Sequence, residues 1–406
     1  MKAEIKQSDL EVLLRTLIGE DYQLFIFDPY LRLINDKAFP LKINNENAPL
    51  VLVNLAEEVV GYKNMKLSEF DFIIDFGNET KENNFNSTVF NYIANNDDSM
   101  RWVFPSSNKT PSFLSFYNAS TFKAKLISQS IKLAFKLGLK NFISKGQFTV
   151  LHQENLKPNR DYLLIEKDSY SIFTGTAGLN RTALLEFNKG GQSTHFVKIP
   201  LSKESEKLVA KEIEVLNQIK GAFKSFRTPK SYDTKENKEC ITTNNNKIRE
   251  RSTDLLPQHL TAISELLENT FIEEAIENNA VYKNSLNNIS YLTSNAKSPR
   301  HKRIIKLLNG LVNEINTDQT IVAHLAHGDF TPWNMYVSET DLYIYDWELA
   351  RNEFSPLFDL FHFHFQTGIL IHNSSFEKIL NKIQESLFHP IIAKKIDQYD
   401  INTETA

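Results

Sequence analysis

The sequence predicts an α+β protein in which a small β-rich lobe is followed by a large helical lobe. Its 406 residues exceed what one core usually organises, and 41% hydrophobic residues are ample for folded cores. Short strand patterns separated by glycine turns follow residue 160, whereas apolar stripes at helical spacing follow residue 257. We therefore predict an additional N-terminal α/β or α+β unit over residues 1–150, the β-rich lobe over 151–245 and the helical lobe over 246–406.

The N-terminal unit has strand patterns at 24–27, 50–55 and 70–76, and it ends in a basic segment. Residues 99–153 contain no Asp or Glu, although the whole chain has a net charge of −4. A predicted helix over 120–137 places four apolar residues near one side and four lysines near another: Phe122, Leu126, Leu133 and Leu137, and Lys125, Lys132, Lys136 and Lys140. Two interpretations stay open: contact of 120–145 with an anionic membrane or polyanion, or a core helix with a solvated lysine face.

The cysteine count, the lengths of the apolar stretches and the net charge exclude several classes of protein. The single cysteine, Cys240, excludes an intramolecular disulfide and favours a reducing cytoplasm. No window offers about 18 uninterrupted apolar residues for a membrane span. The small net charge disfavours nucleic-acid binding as the main role. The sequence does not indicate an oligomeric state.

A glycine turn lies between predicted strands at 170–173 and 182–187, after another strand pattern at 162–165. Gly175 and Gly178 would let backbone amides approach a phosphate closely, and Arg181 could add positive charge. An ordinary hairpin turn is the alternative.

The next predicted strand, 194–200, contains Lys198, and a helix over 204–219 follows it. Glu212 lies on the apolar stripe of that helix with Leu208, Val215 and Ile219, whereas Glu214 lies on the polar face. Because a carboxylate on a buried face needs a cation, we predict that Glu212 pairs with Lys198. The alternative is a solvated edge lysine and a solvated Glu212.

The most informative segment is His-Gly-Asp-Phe-Thr-Pro-Trp-Asn at 327–334, which a hairpin over 335–345 and then Asp346-Trp347-Glu348 follow. The pattern places Asp329, Asn334 and Asp346 near one point. One carboxylate can orient a hydroxyl while an amide and a second carboxylate hold a metal ion against phosphates. Turn and capping side chains are the alternative, since Asp and Asn are common in turns.

These motifs resemble the aminoglycoside phosphotransferase and choline kinase superfamily over roughly residues 165–395. The resemblance implies a protein-kinase-like bilobal fold and a Mg²⁺-dependent enzyme that uses ATP, with GTP as the alternative. It implies that Asp329 is the catalytic carboxylate, that His327 braces its loop, and that Asn334 and Asp346 bind Mg²⁺. Gly175, Gly178, Arg181 and Lys198, with Glu212 as its partner, would bind the nucleotide. Asp359 resembles a helix-start residue that supports the catalytic loop, although an ordinary helix charge is the alternative.

The remaining helical patterns belong to the large lobe. Apolar stripes after Pro257 and over 301–315 predict core helices.

The short distance from Asp346 to Asp359 leaves no room for a peptide-docking segment and predicts a small hydroxyl acceptor. The candidates are a sugar, an amino alcohol or an aminoglycoside, with surface-glycan or lipid-linked sugar metabolism as one setting. His362 and His364 are predicted to be packing or surface residues. A catalytically silent nucleotide-binding scaffold and a peripheral membrane adaptor remain the alternatives.

Overall fold

The chain folds into two compact units, and each has a different secondary structure. The computed structural model describes residues 4–34, 48–56, 66–77, 84–115, 122–154, 156, 165–232, 239–244 and 250–401. The first unit comprises Met1–Ile213 and Lys230–Asn245, and the second comprises Glu214–Pro229 and Asn246–Ala406. Strands predominate in the first and helices in the second, which confirms the predicted α+β class.

The first unit is organised around one large sheet. Its strands are β1 (Ile5–Lys6), β2 (Gln23–Phe27), β3 (Leu33–Ile34), β4 (Leu50–Asn54), β5 (Phe72–Asp75), β6 (Phe85–Ala94), β7 (Met100–Pro105), β8 (Gly146–Gln153), β9 (Ser169–Phe173), β10 (Thr182–Lys189), β11 (Gln192–Pro200), β12 (Lys230–Tyr232) and β13 (Cys240–Thr243). Among the described residues, eleven strands form a single sheet in the order β12-β13-β11-β10-β9-β7-β6-β8-β5-β4-β2. The separate pair β1 and β3 is parallel. The three strands predicted in the N-terminal segment are therefore present, whereas residues 162–164 of the predicted strand at 162–165 lie outside the described part of the chain.

The sheet runs without interruption through the boundary predicted at residue 150. Strands β7 and β9 pair antiparallel, with Trp102 opposite Phe173 and Val103 opposite Ile172. Helix α1 (Gln7–Leu17) inserts Leu10, Leu13 and Leu14 into a core that also contains side chains of β9, β10 and β11. That boundary thus lies inside one compact unit, because strand pairing and a shared core join the residues on either side of it.

The apolar stripe predicted for helix α2 (Phe122–Lys136) is not buried. Phe135 packs against Phe104 and Phe113. The predicted apolar stripe is exposed instead, with exposed fractions of 49% for Leu126, 55% for Leu133 and 60% for Leu137. The core-helix interpretation of this stripe is therefore wrong; the side chains of Phe122 and Lys125 lie outside the described set. Helices α3 (Lys140–Ile143) and α4 (Lys203–Gln218) complete the list for this region.

The second unit contains helices α5 (Pro257–Thr270), α6 (Ala280–Asn295), α7 (Pro299–Glu314), α8 (Phe358–Leu370), α9 (Phe376–Leu387) and α10 (Pro390–Gln398), and strands β14 (Ile272–Ala275), β15 (Thr320–Ala326), β16 (Met335–Val337), β17 (Leu342–Ile344) and β18 (Arg351–Phe354). Strands β14, β15 and β18 form one sheet, and β16 and β17 form the hairpin predicted from the sequence. None of the described helices is long and apolar enough to cross a membrane.

Helices α5 and α7 correspond to the two core helices predicted from the sequence, and they differ in burial. Leu260, Ile263 and Leu267 of α5 are buried, as predicted, whereas Phe271, the fourth residue of the predicted stripe, follows the helix and is 44% exposed. The prediction for α7 is wrong, because the stripe of Ile304, Leu308, Leu311 and Ile315 is exposed. An apolar stripe becomes core only where another element covers it. Among the described residues of α7, Ile305 is the only buried one.

Candidate active site

The loop at 327–334 is held from behind by the first turn of α8. One carboxylate oxygen of Asp359 accepts a hydrogen bond from the His327 amide at 2.7 Å, and the other accepts one from the Gly328 amide at 3.1 Å. Both Asp359 and His327 are fully buried. Burial raises the pKa of Asp359, while the two amide hydrogen bonds oppose this shift. Asp359 therefore supports the loop, and the alternative of an ordinary helix charge is wrong.

The His327 ring connects the loop to the end of the β16–β17 hairpin. Its Nε2 lies 2.9 Å from the carbonyl oxygen of Tyr345, and its Nδ1 accepts the Asp329 amide at 3.2 Å. Because a carbonyl only accepts, Nε2 carries the proton and donates. The ring also lies 4.6 Å, between centroids, from the buried Trp347 ring. His327 therefore joins the loop to the hairpin; the bracing role that the resemblance implies for it stays a prediction.

The Asp329 carboxylate is held by hydrogen-bond donors on both of its oxygens. The Asn334 amide nitrogen donates to Oδ2 at 2.8 Å and to the Asp329 carbonyl at 3.0 Å. His362 Nε2 lies 3.0 Å from Oδ1. Burial raises the pKa of Asp329, but the His362 hydrogen bond, electrostatic interactions with the His327 and His362 rings and the Asn334 hydrogen bond together lower it below its ordinary value. Asp329 is therefore ionised at neutral pH, and 29% of its side chain is exposed to solvent.

The position of His362 corrects the sequence prediction that it is a packing or surface residue. It contacts the Asp329 carboxylate, whereas His364 is buried and bonds Ser386 at 2.8 Å, as a packing residue does. The missed signal is spacing: His362 lies three residues after Asp359 on α8, so both side chains point from one face of the helix.

Backbone conformations that favour glycine occur at two points of this site. Gly328 has φ +81°, and a Cβ there would lie 2.4 Å from the Leu349 carbonyl oxygen, so a larger residue does not fit. Asp346 adopts the left-handed conformation, with φ 70° and ψ 57°. Non-glycine residues in this region cost about 1–3 kcal/mol and cluster at functional sites.

The hairpin brings Asn334 and Asp346 to neighbouring positions. Met335 pairs with Ile344, and the Tyr345 amide donates to the Asn334 carbonyl at 3.0 Å. Carboxylate oxygens of Asp346 and Glu348 lie within 4.8 Å of each other. Two carboxylates this close repel unless a cation lies nearby. Amide and carboxylate oxygens are also the protein ligands that Mg²⁺ prefers, so these residues fit a magnesium ion.

Arg251 also holds the loop, and sequence analysis missed it. Its guanidinium donates to the Pro332 carbonyl at 2.8 Å and to the Tyr345 hydroxyl at 2.6 Å, and it lies 4.4 Å from the centre of the Tyr336 ring. The residue lies in a polar segment without periodicity, so the sequence gives no local signal for it. Arg251 therefore links the loop at Pro332 to the aromatic side chains of Tyr336 and Tyr345.

In the first unit, Lys198 and Glu212 form the predicted ion pair. The Lys198 Nζ lies 2.6 Å from a Glu212 carboxylate oxygen, on β11 and α4 respectively. Glu212 is buried, whereas Glu214 is exposed, which confirms the choice between the two glutamates. A lysine held this way keeps a fixed position on its strand. Its predicted contact with phosphate stays a prediction.

The glycine turn has the predicted layout, but Arg181 points elsewhere. Strands β9 and β10 flank the turn and pair antiparallel. Gly175 has φ +75°, and a Cβ there would meet the Thr182 carbonyl oxygen at 2.2 Å. The Arg181 guanidinium is buried, donates to the Thr174 carbonyl at 2.8 Å and pairs with Asp9 at 3.3 Å. Arg181 thus anchors the turn to α1, so we do not assign it to a phosphate.

Comparison with known proteins gives weak structural likenesses. No protein-family model matches the sequence, and no curated protein sequence matches it. The gentamicin complex of APH(2'')-IIa has a TM-score of 0.39 and 12% identity, over 56% of this chain and 80% of that chain. ADP-bound aminoglycoside phosphotransferase APH(2'')-Ib has a TM-score of 0.38 and 15% identity, over 54% and 77%. The macrolide 2'-phosphotransferase MphH from Brachybacterium faecium has a TM-score of 0.34 and 13% identity, over 56% and 81%. Likenesses at this level do not decide the function, for which the local geometry is the evidence.

Proposed function

We propose that the protein is a Mg²⁺-dependent phosphotransferase that moves the γ-phosphoryl group of ATP, or alternatively GTP, to a hydroxyl group of a small molecule. The observation that carries the proposal is the ionised Asp329 carboxylate, held by Asn334 and His362 on a loop that the buried Asp359 supports. An acidic group held this firmly but still partly exposed suits a reaction in which positioning supplies most of the catalysis.

The residues of the second unit would act on the acceptor and the metal ion. Asp329 would orient the acceptor hydroxyl and take its proton as the new phosphate ester bond forms. The Asn334 amide oxygen and the Asp346 carboxylate would hold Mg²⁺, which when bound neutralises charge on the phosphates. Because the Asn334 amide nitrogen already donates to Asp329, its oxygen is the atom left for a cation.

The residues of the first unit would act on the nucleotide. Lys198, which Glu212 holds, would pair with the phosphates as a point charge. Backbone amides of the turn at Gly175 and Gly178 would donate to phosphate oxygens, since glycine has no Cβ that keeps a phosphate away from the backbone.

The acceptor is proposed to be a small molecule because only twelve residues separate Asp346 from Asp359. Sugars, amino alcohols and aminoglycosides all offer hydroxyl groups, and surface-glycan or lipid-linked sugar metabolism is one setting for such a reaction. Two acidic residues that could attract a cationic acceptor are used in the fold: Glu265 accepts from the Lys224 and Ser225 amides, and Glu268 pairs with Lys395. The single cysteine suits a reducing cytoplasm.

A second candidate role is attachment to an anionic membrane through 120–145. The observation that favours it is the exposed stripe of Leu126 and Leu133 on α2 and Leu137 directly after it. Phe142 is exposed just beyond this stripe, and Lys132 and Lys136 are exposed on α2. Co-sedimentation with phosphatidylcholine vesicles, with and without phosphatidylglycerol, tests this role. We expect binding only to anionic vesicles and its loss in Leu133→Ser/Leu137→Ser. The control variant is Leu307→Ser/Leu311→Ser, at similarly exposed leucines of α7.

Calorimetric titration of the protein with ATP or GTP, with and without Mg²⁺, tests the main proposal. We expect Mg²⁺-dependent binding that is weakened at least tenfold in Asp346→Ala, which corresponds to about 1.4 kcal/mol. Asp329→Asn should bind nucleotide as the wild type does, because that residue acts on the acceptor. A protein that binds neither nucleotide contradicts the proposal. A scaffold would bind nucleotide without transferring phosphate.

A further inference from the structure

The helix turn that supports the catalytic loop also reaches the catalytic carboxylate directly. Asp359 holds the backbone of the loop at His327 and Gly328. One turn later, His362 Nε2 lies 3.0 Å from Asp329 Oδ1. A single segment of α8 therefore fixes both the main chain and the reacting side chain.

The direction of this hydrogen bond follows from the chemistry of the two groups. The other Asp329 oxygen accepts from the Asn334 amide nitrogen, which can only donate, and both oxygens of a carboxylate are acceptors. His362 Nε2 must therefore carry the hydrogen and donate it. Hydrogen bonds to a charged acceptor are roughly twice as strong as neutral ones.

The plane of the His362 ring is held by aromatic neighbours. The ring lies nearly parallel to Phe358, with centroids 5.7 Å apart, and Phe358 lies nearly parallel to Phe354, with centroids 4.1 Å apart. The donor thus points in a fixed direction. This fixation matters because a carboxylate rotates freely about its terminal bond unless both oxygens are held.

Each oxygen of the Asp329 carboxylate is held by a different donor. Asn334 donates to Oδ2 and His362 donates to Oδ1. Each carboxylate oxygen can accept two hydrogen bonds, so both donors leave acceptor capacity for a substrate hydroxyl. If Asn334 also turns its amide oxygen to Mg²⁺, its own position depends on the metal, whereas that of His362 depends on α8 alone.

We propose that His362 is a positioning residue that sets the orientation of the Asp329 carboxylate through its Nε2–H donor. This inference rests on the proposed phosphotransferase function. The residue does not touch the acceptor or the nucleotide in this role; it acts through Asp329. Its loss should therefore lower the turnover number and leave nucleotide affinity unchanged.

Three variants test the inference. His362→Phe removes the donor and keeps an aromatic ring against Phe358. His362→Gln keeps an N–H donor in place of the imidazole. His364→Gln is the matched control, because His364 lies on the same helix but bonds Ser386 instead of Asp329.

The readouts are the kcat and KM of nucleoside diphosphate formation from Mg²⁺-ATP or Mg²⁺-GTP, nucleotide affinity by calorimetry, and thermal unfolding. We expect His362→Phe to lower kcat by about tenfold to a hundredfold, the scale of a misplaced catalytic group, with nucleotide affinity within about twofold of wild type. His362→Gln should recover most of the loss. His364→Gln should leave kcat unchanged even if it lowers the unfolding temperature.

Two results would overturn the inference alone. Either His362→Phe keeps wild-type kcat, or His362→Gln loses as much kcat as His362→Phe although both remain folded and bind nucleotide. A wild-type protein that binds neither nucleotide is a different failure, since it overturns the proposed function and this inference with it.

Discussion

At the scale of residues, Asp359 shows how one buried side chain can fix the conformation of a loop. It is buried and serves two backbone amides at once. An unsatisfied buried amide costs about 1–3 kcal/mol, so the loop depends on this carboxylate for its conformation. The exposed Glu377, in the first turn of α9, occupies a comparable helix position without such partners.

Asp359→Ala should therefore lower the free energy of unfolding by about 1–3 kcal/mol for each amide it leaves unpaired. Urea unfolding measures the loss. Glu377→Ala is the control and should cost less than about 1 kcal/mol, the value of a first-turn charge. Equal effects in both variants would mean that Asp359 contributes only through the helix dipole.

A glycine pair gives a second test at this scale. Gly328→Ala should destabilise the protein, because the new Cβ would lie 2.4 Å from the Leu349 carbonyl oxygen at a residue with φ +81°. Gly310→Ala, in the open surface of α7, should instead add about 0.5–1 kcal/mol through helix propensity. Thermal unfolding of both variants gives the signs, and a neutral Gly328→Ala would contradict the tight packing of the loop.

The residues that sequence analysis could place are those inside one short motif. Asn334 donates to Asp329, and the hairpin places Asp346 directly after Tyr345, whose amide donates to the Asn334 carbonyl. The spacing within the motif predicts these positions. Glu212 was identifiable because burial on a helix stripe demands a cation. Arg251 reaches the same loop from a distant segment that has no local pattern. The spacing of His362 from Asp359 was a signal, but it becomes informative only when Asp359 is known to lie behind the loop.

At the scale of elements, the glycine turn is anchored by helix α1. Arg181 bonds the carbonyl of Thr174, where the turn begins, and pairs with Asp9. Asp9 also accepts the Met100 amide at 2.7 Å, which joins α1 to β7. Burial raises the pKa of Asp9 despite these partners, so the pair is held at an electrostatic cost.

Asp9→Ala should lower the free energy of unfolding by about 3–5 kcal/mol, because it leaves the Arg181 guanidinium buried without its counter-charge. The double variant Asp9→Ala/Arg181→Met should lose less stability than the single variants Asp9→Ala and Arg181→Met lose together, since removing both side chains leaves no buried charge unpaired. Denaturant unfolding of the single and double variants measures the coupling. Additive losses would contradict a direct interaction between the two side chains.

Sequence periodicity predicted helices better than it predicted their burial. The stripes of α5 and α7 look alike, yet α5 is buried and α7 is exposed. The pattern shows that a helix has an apolar face, whereas the tertiary arrangement decides what covers it. Helix α2 is a further case in which an apolar face was predicted correctly but its burial was not.

At the scale of the whole molecule, the N-terminal 150 residues belong to the same sheet as the nucleotide-binding strands proposed here. The pairing of β7 with β9 joins segments far apart in sequence, and strand pairing of this kind leaves no local signal. The α/β character of the segment was predictable from its strand patterns, but its continuity with the rest was not.

A fragment of residues 151–406 should therefore fail to fold. The fragment lacks β7, so the edge of β9 would be exposed. It also lacks α1, so the core would lose the leucines of that helix. Circular dichroism and size-exclusion chromatography would show an aggregated or unfolded fragment. A monomeric fragment with a cooperative thermal transition would instead establish the N-terminal segment as a separate domain.

The proposed role of Asp329 is tested most directly by transfer of labelled γ-phosphate from ATP or GTP to a panel of sugars, amino alcohols and aminoglycosides. We expect Mg²⁺-dependent transfer to at least one hydroxyl acceptor by the wild type. We expect Asp329→Asn to lower the transfer rate at least a hundredfold, the lower end for removal of a general base, and to retain nucleotide binding. Undiminished transfer by Asp329→Asn would show that Asp329 is not the catalytic carboxylate.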